Sequence, residues 1–236
     1  MSHYWIFGSS KALGMGVAKI LSRRHSVTCF SRSASPSAPD AISVDFADLA
    51  ATQSAIELAF ERSVPDGVVF CQRYRPKDGL SDLEAVKAGL DVELGPILYL
   101  VEAATAVSRR NPAVRPLSIV LISSVAGLAA HVDVPLYYHL LKAVTVTATR
   151  TLAAQGATNG LRVNCIVLGE FMKYPAEDYT EAEKKKFRTI ENFAVARRIC
   201  LISDVADAAE FLLSDRARYV TGQLISRDGG LSCIAT

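Results

Sequence analysis

A chain of 236 residues, half of them hydrophobic, is long enough to bury the core of one α/β domain. Its formal charge of +2, with no basic stripe interleaved with aromatics, argues against a nucleic-acid binder. The five cysteines (Cys29, Cys71, Cys165, Cys200 and Cys233) form no C-x-x-C pair and read as reduced, small hydrophobes, as in a cytoplasmic protein.

His3-Tyr-Trp-Ile-Phe7 reads as a short apolar strand. It runs directly into Gly8-Ser-Ser-Lys-Ala-Leu-Gly-Met-Gly16, and a helical pattern (Val17, Ile20, Leu21) follows, ending at Arg23-Arg24. Strand, glycine turn and helix in succession make a phosphate-binding hypothesis, because backbone N–H groups and the helix dipole at such a turn favour a pyrophosphate. The candidate cradle is Gly8, Ser10, Lys11, Leu13 and Gly14. Val27-Thr-Cys-Phe-Ser-Arg32 reads as the second strand. An acid at its end would bind a ribose 2′-hydroxyl, whereas an arginine suits a 2′-phosphate. Arg32 stands there with no acid beside it, which points to NADP(H). The Ser-, Pro- and Ala-rich stretch from Ser31 to Asp40 reads as a surface loop, and Ala41-Ile-Ser-Val-Asp45 as the third strand.

Further strands are expected at Asp66–Cys71, Ser118–Ser124, Leu161–Val167 and Gln223–Ser226, and helices at about 49–62, 82–109, 136–154 and 204–213. Strands alternating with helices predict a Rossmann-type, doubly wound parallel sheet in a three-layer αβα domain spanning 1–236. Residues 170–198 would form a lid over the substrate, with Lys184-Lys-Lys186 on an exposed helix face. No signal peptide is read before the first strand, and the longest apolar stretch is broken by His131 and Asp133, so no membrane span is expected.

The chemistry concentrates in Ser124, Tyr138 and Lys142. Tyr138-His-Leu-Leu-Lys142 places a phenol and an ammonium on one helical face. The ammonium stabilises a phenolate, so the tyrosine can exchange a proton nearer neutral pH than its ordinary value of about 10. Ser124 ends an apolar strand, where its hydroxyl could polarise a substrate carbonyl. Arg73, Arg75 and Lys77 leave the fourth strand and Lys173 leaves the sixth, at the carboxyl edge where open α/β sheets bind ligands. Arg73, Arg75 and Lys173 are therefore candidates for an acidic group on the substrate.

From about residue 3 to about residue 232 the chain resembles the short-chain dehydrogenase/reductase family. Gly8 and Gly14 match its T-G-x-x-x-G-x-G motif, with Phe7 for the threonine and Ala12 for the middle glycine. Ile122-Ser-Ser-Val-Ala-Gly127 resembles its serine segment, and Asp204-Val-Ala-Asp, Phe211–Asp215, Tyr219–Gln223 and Asp228-Gly-Gly230 resemble its C-terminal region. The resemblance implies a small-molecule carbonyl reductase or alcohol dehydrogenase that needs no metal. Tyr138 would be the proton donor, Lys142 would lower its pKa and hold the nicotinamide ribose, and Ser124 would orient the carbonyl. It also implies that Lys11 assists the NADP(H) phosphate, that Asp45 and Phe46 lie near adenine, and that Cys71 and Gly169 contact the cofactor. A homodimer or homotetramer through the fourth and fifth helices is expected as well.

Four further departures from the family's pattern bear on function. Phe70-Cys-Gln-Arg73 stands for N-N-A-G, and Leu168-Gly169 for Pro-Gly. Lys173 replaces a threonine, and Val92 or Glu93, depending on register, replaces a relay asparagine, so proton resupply to Tyr138 would run through Glu93 or water. These changes leave room for a lyase or epimerase that uses Tyr138 as acid and base, or for a catalytically silent NADP-binding protein.

Overall fold

The computed structural model describes residues 1–33, 40–111, 116–174 and 176–233. The N-terminal half comprises β1 (His3–Phe7), α1 (Ala12–Leu21), β2 (Ser26–Ser31), β3 (Asp40–Ser43), α2 (Leu49–Arg62), β4 (Gly67–Phe70), α3 (Asp82–Glu93) and α4 (Gly95–Arg110). After it come β5 (Leu117–Ser124), α5 (Leu136–Gly156), β6 (Leu161–Leu168), β7 (Phe171–Met172), α6 (Glu181–Phe193), β8 (Cys200–Leu201), α7 (Ile202–Leu213) and β9 (Leu224–Arg227). Seven strands pair in the order β3-β2-β1-β4-β5-β6-β9, all parallel, and β7 and β8 form a separate parallel pair. This is the doubly wound αβα sandwich expected from the alternating pattern. Most of the loop read between Ser31 and Asp40, residues 34–39, lies outside the described residues.

Strands buried on both faces explain the near-continuous apolar runs. Side chains alternate across the sheet: Trp5 and Phe7 enter one core with Phe30, Phe60, Leu100 and Leu121, while Tyr4 and Ile6 enter the other with Val17, Val120, Ile166 and Leu212. Residues of α2, α4 and α5 cover the first face and residues of α1 and α7 the second. Buried Asn164 on β6 donates to the carbonyl of Val220 and accepts from the N–H of Gln223, which pins the approach to β9. No helix among the described residues is long and apolar enough to cross a membrane.

One element is corrected. The apolar period predicts a single helix over 82–109, but two helices meet at Leu94, which ends α3 and starts α4. Pro96 in the first turn of α4 has no N–H to donate, and its ring would collide with the carbonyl four residues back. The break leaves Glu93 as the last residue of α3, buried. Gly89, one turn earlier, lets α3 close onto α5: a Cβ there would lie 2.4 Å from Leu141. Beyond β6, α6 buries none of its residues. Lys185 and Lys186 are exposed on it, and Lys186 pairs with Glu170 at 2.7 Å.

The turn after β1 carries local strain. Ala12 has φ +44, in the left-handed region that costs an alanine about 1–2 kcal/mol. Ala12→Gly is expected to stabilise the chain by about 1 kcal/mol and raise Tm by about 2–4 °C, measured by thermal denaturation.

Candidate functional site

Parallel strands in register put their carboxyl ends on one edge, so Gly8, Arg32, Asp45, Cys71, Ser124 and Gly169 all lie there. From the adjacent strands β1 and β4 the chain departs to opposite faces, through α1 and through α3, which opens the crevice where such sheets bind ligands. Gly8 lies against the loop after β4: with φ +78, its Cβ would sit 2.5 Å from the N of Gln72. Gly14 is equally constrained, because a Cβ there would be 2.2 Å from the carbonyl oxygen of Gly8.

This turn fits an anionic cofactor. No side chain caps the start of α1 at Lys11, and its first turn contains no acid, so the leading N–H groups and the positive helix end face the turn. Lys11, Arg32 and Asp45 are exposed, and Ser10 is half-buried. Leu13 and Phe46 place their side chains in the cores, which leaves only their main chain for a ligand. Burial pushes the half-buried Cys71 thiol up to about 12, so it stays neutral.

The proton-transfer candidates share the β5–α5 corner. Ser124 ends β5, and its Oγ accepts the Ala126 N–H at 3.3 Å. Tyr138 lies half-buried in the first turn of α5, and Lys142 is buried one turn on. The Lys142 Nζ stands 5.4 Å from the Tyr138 ring centroid, and the Arg73 guanidinium lies over that ring at 4.5 Å. Ser123 donates to the carbonyl of Lys142 at 2.9 Å, and Gly127 packs so closely that a Cβ would be 2.7 Å from that carbonyl.

Of the two residues that register left open, Glu93 faces the site. Its Oε2 accepts from Lys142 Nζ at 2.6 Å, and its Oε1 accepts the Tyr74 N–H at 2.9 Å. Val92 packs against the core instead. Three supports are absent from the sequence reading. His139 donates from Nδ1 to the carbonyl of Ala126 at 2.6 Å, which ties the turn carrying Tyr138 to the segment after Ser124. Asp82 accepts the Tyr137 N–H at 3.1 Å, and the Gln72 side chain donates to the carbonyl of Glu93 at 3.3 Å. Only the Ser81-x-x-Glu84 capping box could have been read in advance, marking Asp82 as the start of a helix.

The cations also converge. Lys173 follows β7, and its N–H donates to Tyr179 Oη at 2.6 Å. Desolvation holds its ammonium below the ordinary lysine range; Glu170 opposes this, while Arg73, Arg75 and Lys186 add to it. Arg73 and Arg75 themselves are exposed.

The sequence profile described as Enoyl-(Acyl carrier protein) reductase matches residues 14–232. The chain belongs to the short-chain dehydrogenase/reductase family. It is 30% identical over 179 residues to the enoyl-(acyl-carrier-protein) reductase (NADH) of Haemophilus influenzae, covering 72% of this chain and 65% of that protein. It is 32% identical over 116 residues to an uncharacterized oxidoreductase of Bacillus subtilis, covering 49% and 46% respectively. The match thus spans about half to two-thirds of these relatives' length. Ligand-free aldohexose dehydrogenase from Thermoplasma acidophilum has the same fold, with TM-score 0.84, 22% identity and coverage of 99% of this chain and 95% of that one.

Removing one member of the buried pair strands the other. Glu93→Ala is expected to cost about 3–5 kcal/mol of unfolding free energy, read from chemical denaturation.

Proposed function

We propose that the chain is an oxidoreductase that uses NADP(H) to reduce the carbonyl of a small anionic metabolite, or to oxidise the corresponding alcohol. The observation that carries this reading is the meeting of Tyr138, Lys142 and Arg73 at the carboxyl edge beside Ser124, with the uncapped α1 turn on the same edge. When bound, the cofactor supplies the hydride that passes between its nicotinamide and the carbonyl carbon. Gly8, Ser10 and Gly14 hold its pyrophosphate, Lys11 and Arg32 its 2′-phosphate, and Asp45 and Gly169 flank it. Ser124 orients the carbonyl oxygen, and Tyr138 donates the proton to it. Arg73, Arg75 and Lys173 bind the anionic group, with the arginines offering the bidentate fork. A homodimer or homotetramer through α4 and α5 belongs to the same reading, since Leu98, Leu136 and Leu140 remain exposed.

A second reading, reduction of the carbon–carbon double bond of an enoyl thioester, is favoured by the description of the matching profile and by the Haemophilus relative. A substrate screen that pairs 2-oxo acids with enoyl thioesters separates the two.

Fluorescence titration tests the cofactor. NADPH is expected to bind about tenfold or more tightly than NADH, and Arg32→Ala to abolish the preference; equal binding of the two in wild type refutes it. Tyr138→Phe is expected to lower kcat by about 10²–10⁴-fold while NADPH still binds.

The acidic substrate has its own pH signature. Because the Lys173 ammonium is held below the ordinary range, it loses its charge earlier as pH rises. KM for a 2-oxo acid is expected to climb on the alkaline side before an ordinary lysine would titrate, and Lys173→Met to flatten that rise. An unchanged KM on Arg73→Ala would remove the anionic group from the reading.

A further inference from the structure

The segment that carries Ser124 is joined to the start of α5 at three points. Ser123 donates to the Lys142 carbonyl at 2.9 Å, Gly127 packs against the same carbonyl, and Ala126, between them, is met by His139. Ala126 is buried, and both of its main-chain groups are engaged. Its N–H donates to Ser124 Oγ at 3.3 Å, and its carbonyl accepts from His139 Nδ1 at 2.6 Å. The first bond fills an acceptor position of the Ser124 hydroxyl and leaves its hydrogen to donate. A hydroxyl that orients a carbonyl oxygen has to be a donor, so the Ala126 peptide sets the polarity that Ser124 needs.

His139 reaches a second segment through its other nitrogen. Nε2 lies 3.4 Å from the N–H of His131 and 3.2 Å from its carbonyl, and the two imidazoles lie 10° from parallel with centroids 6.1 Å apart. Because a carbonyl oxygen only accepts, Nδ1 of His139 carries a proton, and Nε2 finds a partner on His131 with or without a proton of its own. His131 lies in the largely exposed stretch 128–135, where its carbonyl also accepts the Val134 N–H at 3.1 Å. This stretch enters α5 through Pro135, with no side-chain cap at the helix start.

We infer that His139 is a positioning residue with two separable holds. Its Nδ1 fixes Ala126, and through it the Ser124 hydroxyl, against the turn that carries Tyr138. Its Nε2 fixes the 128–135 stretch that runs between those two residues and forms a rim of the site. The first hold governs the alignment of the reacting groups, and the second the surface a substrate meets as it enters. The inference rests on Ser124 and Tyr138 acting on the substrate carbonyl, and its first readout needs neither nucleotide nor substrate.

Two variants divide the ring. His139→Asn keeps a donor at the Nδ1 position but falls short of His131, and His139→Gln reaches toward His131 but leaves Ala126 without its donor. Amide exchange is followed by NMR on the full chain, without nucleotide or substrate. In His139→Asn the His131 N–H is expected to exchange about tenfold faster and the Ala126 N–H to stay within about threefold of wild type; His139→Gln is expected to do the reverse. With NADPH and a series of 2-oxo acids as probes, His139→Gln is expected to lower kcat by about 10–10²-fold with KM little changed, and His139→Asn to raise KM by about fivefold or more with kcat retained. A merely structural histidine would move both readouts alike in both variants, and that result overturns the inference. So does an Ala126 N–H that exchanges at the wild-type rate in His139→Gln. Should a variant not fold, the wild type decides alone: imidazole nitrogen NMR is expected to show a proton on Nδ1 of His139, and its absence overturns the inference. If the wild type reduces no 2-oxo acid, the proposed reaction fails, while the exchange pattern still supports or overturns the two holds.

Discussion

An ammonium and a carboxylate removed together from water each lose several kcal/mol of hydration, and only direct contact with every other polar atom satisfied offsets that loss. The Lys142–Glu93 pair imposes this demand on the architecture around it. Glu93 must reach α5, so α3 stops one residue later and Gly89 admits Leu141. Its second oxygen must find a donor, so the chain after β4 turns its Tyr74 N–H inward. Ser123 and Gly127 hold the Lys142 backbone from the other side, where any larger side chain at 127 would push α5 away. The glycines and the helix break thus serve one electrostatic requirement.

The loop from Phe70 to Tyr74 is where this requirement meets the glycine turn after β1. Its main chain at Gln72 lies against Gly8, and the Gln72 side chain bonds to the carbonyl of Glu93. Arg73 next to it covers Tyr138, and Tyr74 anchors the carboxylate. Three consecutive residues therefore touch the turn after β1, Tyr138 and the buried pair in turn. A shift of this loop would be felt at both ends of the crevice, since packed cores change by discrete rearrangement rather than by smooth deformation.

The sheet was legible in the sequence because its strands are buried on both faces and so read as unbroken apolar runs. The glycine turn and the Tyr138–Lys142 spacing were legible because local geometry sets their period. The break at Pro96 was missed because the apolar period carries through it: Val92, Ile97, Leu100 and Ala104 all face the same core. Glu93 could be named only as one of two adjacent residues, since the register of a helix end depends on where the helix stops. The bonds from His139, Asp82 and Gln72 span 13 to 55 residues of sequence, and no local pattern marks them. Leu13 and Phe46 were read as cofactor positions from the resemblance, and no local pattern told that their side chains turn into the cores.

Two of the departures from the family's pattern carry opposite charges. By the resemblance, Arg73 stands where the family's pattern has glycine, and Val92 or Glu93 where it has asparagine; Arg73 and Glu93 place one cation and one anion around Tyr138. The buried carboxylate is offset by direct contact with the Lys142 ammonium and the Tyr74 N–H, whereas the guanidinium is exposed and keeps its hydration. Together they add no net charge around Tyr138, and the exposed cation there is Arg73, outside the buried Lys142–Glu93 pair.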